Sequence, residues 1–376
     1  MVSQTAIPCL FMRGGTSRGP FFDRADLPAD LAIRDRVLLA AMGSPDRRQI
    51  DGLGGAHPLT SKVGIVAGST RPGIDLEFQF AQLQPDGSTV DTTPNCGNML
   101  AAVVPFALER GLVAAQGDLT TSRVLTLNTG MVCDIAVETP LNGDHPDVRE
   151  VNYDGRTRID GVPGTAAPIR INFLDTAGSV CARLLPTGHR LDRVELAGVG
   201  AIEVTCIDNG MPMVLLRAAG LGRRGDESVA ALNADEELKS RLEALRMTCG
   251  ELMGLGDVRA KSYPKMCLLA APMAGGSIAT RCFIPHVCHD AIGVLAAVTV
   301  ATACALDGTV ADGLASVAPG AEKIIRVEHP SGEFEVVLVL GGGADGPVAR
   351  AMLLRTARLL MRGEVMVPRS IWNGVR

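Results

Sequence analysis

A lysine opening an apolar strand, with a cysteine downstream ahead of an apolar helix, occurs twice in this chain. Both residue types can move protons. The first copy is Ser61-Lys62-Val63-Gly64-Ile65-Val66, followed by Asn95-Cys96-Gly97-Asn98 and the apolar run 99–108. The second is Pro264-Lys265-Met266-Cys267-Leu268-Leu269, followed by Val287-Cys288-His289-Asp290 and the run 291–306. A helix N-terminus offers unpaired backbone N–H groups and partial positive charge, which favour a thiolate and seat a carboxylate. Lys62, beside buried backbone, would serve as a base. Taken alone, the Cys96 turn also reads as a packing device, and Lys62 as an edge-strand lysine facing water.

The elements that must position these groups also recur. Strands at 7–13 and 202–207 lead into the turns Gly14-Gly15-Thr16-Ser17 and Asp208-Asn209-Gly210-Met211-Pro212. An amphipathic helix follows in each half. One spans about 29–42 with Ile33, Val37 and Ala41 on one face; the other has Leu238, Leu242 and Leu245 at helical spacing and Asn233 as its cap. After the lysine strand and the cysteine helix come strand pairs turning at Thr129-Gly130 and Ser331-Gly332. Five elements in the same order argue for duplication. The expected fold is α+β, two units each with a curved, mostly antiparallel sheet on one main helix. The boundary falls within 182–198, giving domains 1–187 and 188–376, with the last segment able to return to the first. The site is expected in the cleft between them.

Composition narrows the function. The 376 residues are 47% hydrophobic and 20% charged, enough for two cores. Aromatics at 3% and a net charge of −5 argue against nucleic-acid partners. The longest apolar run, 292–306, is shorter than the roughly 20 residues that span a bilayer. No signal peptide is legible, and ten scattered cysteines read as reduced thiols, so a cytoplasmic protein is expected.

Around the repeated phrase lie groups suited to anions. Arg13, Arg18 and Arg281 together fit a polycarboxylate, since guanidinium forks match carboxylates. Thr16 and Ser17 close a loop resembling an anion seat, without a Walker or dinucleotide fingerprint. Cys282, His286, Cys288 and His289 have a rival reading as metal ligands, but their spacing is not that of zinc motifs. His286 and His289 are expected instead to contact an anionic substrate or assist proton transfer.

With these residues in view, Asn95-Cys96-Gly97-Asn98 and its degraded second copy resemble the diaminopimelate epimerase-like superfamily. Met12-Arg13-Gly14-Gly15-Thr16-Ser17, Leu59-Thr60-Ser61-Lys62-Val63, Asp160-Gly161-Val162-Pro163-Gly164-Thr165-Ala166 and Leu185-Pro186-Thr187-Gly188 are similar to the branch containing 2-methylaconitate cis-trans isomerase. Within it, Asp208-Asn209-Gly210-Met211-Pro212, Phe283-Ile284-Pro285-His286 and Glu328-His329-Pro330-Ser331-Gly332-Glu333-Phe334 most resemble the 4-oxalomesaconate tautomerases of gallate degradation. The resemblance implies two similar domains, no cofactor, a homodimer, and proton transfer at Lys62 and Cys96. Substrate contacts are expected from Arg13, Thr16, Ser17 and Ser61; from Asn95, Gly97 and Asn98; from Asn209 and Met211; and from Arg281, His286, Cys288, His289 and Asp290. Because Cys288 is followed by His289 and Asp290 rather than glycine, a symmetrical two-thiol racemase is not expected. The expected reaction is tautomerisation of an unsaturated tricarboxylate. The alternatives are a 1,3-allylic or cis-trans isomerase of a methylaconitate-type substrate, an amino-acid epimerase, or an inert metal- or ligand-binding protein.

Overall fold

The computed structural model describes residues 3–143, 145, 147–341 and 348–374. Two compact units make up the chain: Met1–Leu174 with Leu354–Arg376, and Asp175–Leu353. The first contains β1 (Gln4–Gly14), β2 (Ser17–Asp23), α1 (Leu31–Met42), β3 (Lys62–Gly68), β4 (Leu76–Leu83) and β5 (Val90–Asp91). It continues with α2 (Gly97–Leu100), α3 (Val103–Glu109), β6 (Leu119–Thr126), β7 (Val132–Glu138) and β8 (Ile169–Phe173). The second contains β9 (Asp192–Leu196), β10 (Gly200–Asp208), β11 (Pro212–Arg217), α4 (Val229–Ala234), α5 (Glu236–Leu252) and β12 (Lys265–Ala270). After these come β13 (Ile278–Phe283), α6 (Val294–Ala305), β14 (Glu322–His329), β15 (Gly332–Leu340) and β16 (Val348–Arg355), whose last two residues belong to the first unit. The final strand, β17 (Ala357–Pro368), pairs with β1 along its length, from Gln4↔Pro368 to Gly14↔Ala357.

Duplication is visible in the ladders. The first sheet runs β17-β1-β2-β3-β4-β6-β7-β8. The second runs β9-β10-β11-β12-β13-β14-β15-β16. Both follow one order of pairings: antiparallel twice, parallel, antiparallel, parallel, antiparallel twice. A parallel pair needs a crossover. In chain order α1 and α5 provide the first, and α2–α3 and α6 the second.

The two crossovers differ in how they are buried. On α5, Leu238, Leu242 and Leu245 face the core while the remaining faces are largely charged. By contrast, α6 is apolar all round, and every residue of 296–303 is buried. It packs on β10, β11, β14 and β15, strands toward both ends of the sheet order, so the sheet curves about it. A helix with no polar face needs such an enclosure.

Several expectations shift. The run 99–108 is not one helix: α2 stops at Leu100 and α3 begins at Val103. Pro105 has no N–H to offer the carbonyl of Ala101, which breaks the ladder there. Similarly, α6 begins at Val294 rather than 291, with Gly293 as its cap. Upstream, Phe283 bridges Cys288, and His289 N–H donates to the Cys282 carbonyl at 2.8 Å, holding 283–289 in a tight loop. Asn233 caps no helix; Ser228 caps α4 and Asp235 caps α5. The compact units divide at 174/175, not 187/188. Asp208 Oδ2 accepts from the Val180 and Cys181 N–H groups at 2.7 and 2.8 Å, tying that segment to the end of β10.

Candidate active site

Lys62 begins β3 and Cys96 is the N-cap of α2. They lie 34 residues apart, yet Lys62 Nζ donates to Cys96 Sγ at 3.4 Å. Cys96 has extended backbone and its side chain makes no cap hydrogen bond, which leaves the thiol to face the lysine. Lys62 is only 7% exposed, and among the described residues no carboxylate forms an ion pair with it. Its Nζ lies 5.6 Å from the Phe80 ring centroid, within the range of a cation–π contact.

Small residues clear the space. Strand alternation places Ser17, Gly19 and Phe21 on one face of β2, and Lys62 and Gly64 on the same face of β3. A Cβ on Gly19 would lie 1.7 Å from the Lys62 carbonyl oxygen, so only glycine permits this approach. At the β1–β2 turn Gly15 has φ +51°, and a Cβ there would come 2.1 Å from Asn98 Oδ1. Asn98 Nδ2 donates to Thr16 Oγ1 at 2.9 Å, which binds the turn to the start of α2. The Gly15 N–H donates to the Thr356 carbonyl at 2.8 Å, so this turn is not the open anion seat expected.

Asn95 Nδ2 donates to Thr126 and Thr129 Oγ1 at 3.2 and 2.5 Å. Its Oδ1 is buried with no partner, and so is Ser17 Oγ. Buried polar atoms are nearly always satisfied; of these two, Asn95 directly precedes Cys96 and Ser17 shares the β2 face of Gly19, the residue packed on the Lys62 backbone. Gly97, the first residue of α2, contributes a backbone N–H that has no intrahelical partner.

Other expected contacts have different partners. Ser61 Oγ is fully buried, 2.8 Å from Gln49 Oε1 and 2.9 Å from the His57 carbonyl, so it braces the loop before β3. Arg13 alternates to the face opposite Lys62, where Nη1 donates to the Gly15 carbonyl and Thr356 Oγ1, each at 2.9 Å. In the second unit, Asn209 Oδ1 accepts from Thr176 at 2.6 Å, and its Nδ2 donates to Thr302 at 2.8 Å. Both ends of that amide are engaged inside the fold. Met211 is half-buried, and its carbonyl accepts from Thr299 Oγ1 at 3.2 Å. Arg281 donates to the carbonyls of Glu227 and Thr280, each at 2.9 Å.

The second lysine–cysteine phrase folds differently from the first. Cys288 is 2% exposed and packs in the apolar core, where burial pushes its thiol up to about 11. Its N–H donates to Asn233 Oδ1 at 2.7 Å. It stands five residues before the cap of α6, not at the helix mouth. At that cap is Gly293, where a Cβ would lie 3.7 Å from Lys265 Nζ. Burial lowers the Lys265 pKa, and the Cys282 thiol partly opposes this. His286 faces Glu243 at 3.5 Å, while His289 Nδ1 accepts from the Ala291 N–H at 2.9 Å; His289 and Asp290 are exposed. The four groups of the metal reading therefore have separate surroundings, and among the described residues no three such ligands gather.

Sequence reasoning missed Phe80, Thr126, Thr129 and Thr356. Phe80 carried no signal beyond strand alternation. The two threonines flank a turn that had been located but given no role.

The geometry brings two groups able to carry a proton, the Lys62 side-chain nitrogen and the Cys96 sulfur, into hydrogen-bond contact. A 4-oxalomesaconate tautomerase from Pseudomonas putida is 53% identical over 99% of both chains. A (4E)-oxalomesaconate Delta-isomerase from a Novosphingobium species is 53% identical, covering 96% of this chain and 97% of its own. The crystal structure of a methylitaconate-delta-isomerase superposes with a TM-score of 0.85 at 33% identity, over 100% of this chain and 98% of its own. The pattern of the PrpF protein family matches residues 4–368. The chain belongs to the PrpF protein family and is an isomerase.

Proposed function

We propose that this isomerase interconverts the keto and enol forms of 4-oxalomesaconate without a cofactor, using Lys62 and Cys96 as the acid–base pair. The observation that carries the reading is the 3.4 Å contact between Lys62 Nζ and Cys96 Sγ, with no carboxylate ion-paired to the lysine among the described residues. The names and 53% identity of the two relatives named for oxalomesaconate support the substrate.

A methylene flanked by a ketone and a conjugated alkene is acidic enough for a side-chain base once the resulting dienolate is stabilised. One member of the pair takes the methylene proton, and the other delivers a proton to the ketone oxygen. The net change is one C–H broken and one O–H formed, with no redox partner needed. The backbone N–H groups opening α2 and the Ser17 hydroxyl would hold carboxylates and offset the developing negative charge. Asn95 and Gly97 flank Cys96, and the Asn98–Thr16 hydrogen bond holds the start of α2 against the β1–β2 turn.

Incubating the purified protein with the keto form and following the ultraviolet band of the conjugated product tests this. A rate equal to the buffer control would sink the substrate assignment. A second reading, a 1,3-proton shift on a methylaconitate-type substrate, is favoured by the structural match to the methylitaconate isomerase. Product NMR in D₂O separates the two, because only the allylic shift moves the carbon–carbon double bond. A role in gallate degradation, a cytoplasmic location and a homodimeric state belong to the same proposal; the location rests on the scattered thiols, and the other two on the resemblance. Light scattering at micromolar protein would test the last.

A further inference from the structure

Three arginines stand side by side on the face of the first sheet opposite Lys62. Arg13 of β1 is the direct register partner of Arg18 on β2 and of Arg358 on β17. Directly paired residues project to one face, and like charges so placed destabilise a sheet. No carboxylate forms an ion pair with any of the three among the described residues. Arg18 leans over Phe11, 5.8 Å from its centroid, and Arg13 is anchored to Thr356 and the Gly15 carbonyl. Burial, and then the charge of Arg358, disfavour the protonated form of Arg13.

This row of cations opens onto a cavity of about 400 Å³. Its far wall includes Thr157 and the Pro163-Gly164-Thr165 loop, and Asp154 is its only acidic lining residue. Neither Lys62 nor Cys96 lines it. The volume falls in the range that holds small molecules. An unneutralised row of three guanidiniums at its floor selects for negative charge, and their planar forks favour carboxylate geometry.

We propose that the Arg13–Arg18–Arg358 cavity is a second binding site, for a small anion bearing two or more carboxylates, on the sheet face opposite the Lys62–Cys96 pair. Such an anion would replace three-way repulsion with charge-assisted hydrogen bonds. Binding should therefore raise stability, whereas removing one arginine should stabilise the empty protein and weaken the site.

Citrate is the probe, with sodium chloride at matched ionic strength as control and inorganic phosphate as the competing chemistry. Calorimetric titration should show saturable citrate binding, and the melting temperature should rise by roughly 5 °C at a hundredfold excess over Kd. Arg358→Gln and Arg18→Gln should each melt higher than wild type without citrate and bind it at least about tenfold more weakly. Arg358→Lys, which keeps the charge, should recover part of the affinity. Lys62→Met should bind citrate at this site unchanged, which keeps the result independent of the catalytic reading. The wild-type titration stands whether or not a variant folds. A shift no larger than that from sodium chloride would overturn the proposal. So would phosphate binding without citrate binding, or citrate binding lost in Lys62→Met but kept in Arg358→Gln.

Discussion

Lys62 Nζ and Cys96 Sγ are 3.4 Å apart, although one belongs to the start of a strand and the other to the cap of a four-residue helix. Among the described residues no carboxylate forms an ion pair with Lys62.

Removing either group should abolish most of the reaction. Lys62→Met and Cys96→Ser are each expected to lower kcat by roughly 10²–10⁴-fold. Both should leave the melting temperature close to wild type, since methionine fills the lysine stem and serine replaces a half-buried thiol. Steady-state kinetics on 4-oxalomesaconate checks this, and near-wild-type turnover by either variant would remove that residue from the mechanism.

Thiol chemistry should single out Cys96. Cys181 and Cys304 are also half-buried, but burial pushes both thiols up to about 12, and Cys288 to about 11. Iodoacetamide at about pH 7.5 should therefore modify Cys96 first and inactivate in step with that modification. Mapping the labelled peptide against residual activity tests this. Cys288→Ala should remain active, at a stability cost of about 1 kcal/mol; loss of turnover in a folded Cys288→Ala would revive a two-thiol mechanism.

Gly19→Ala should be disruptive despite its small size. The added methyl would meet the Lys62 backbone oxygen at 1.7 Å, and a backbone atom cannot rotate away. A loss of about 3 kcal/mol is expected from forcing β2 and β3 apart. Denaturant midpoints measure it, and wild-type stability would show that the strands can separate at no cost.

Arg246 is fully buried in the second unit, with Glu243 at 2.6 and 2.8 Å and the Val258 carbonyl at 2.9 Å. Arg246→Met should cost about 3 kcal/mol by leaving these groups unpaired. The hydrogen bond from Arg246 holds the Glu243 carboxyl below its ordinary value of 4.5. That contribution to stability is present above pH 4.5 and is lost as the pH falls through the lower folded value. The acid limb of a stability–pH profile should thus be shallower in Arg246→Met than in wild type, and parallel limbs would contradict the pairing.

Patterning made much of the architecture legible. The apolar strands, the helical spacing of Leu238, Leu242 and Leu245, and the recurrence of the lysine–cysteine phrase all lie in residue order, because periodicities of 2 and 3.6 are written locally. The same order put Lys62 and Cys96 forward as partners. It did not reveal that Ser61 and Asn209 spend their polar atoms inside the fold, because hydrogen-bond satisfaction depends on groups such as Gln49 and Thr302 that are remote in sequence.

By itself, then, the sequence determined the elements, their duplication and the candidate acid–base residues. Tertiary structure decided which copy of the phrase brings its lysine and cysteine side chains into contact. In the first copy a strand and a short helix converge until Lys62 Nζ and Cys96 Sγ meet; in the second a tight loop turns Cys288 into the core and leaves Lys265 at the helix cap. It also decided that Arg13 belongs with Arg18 and Arg358 rather than with Lys62, because one step along a strand reverses the face a side chain occupies.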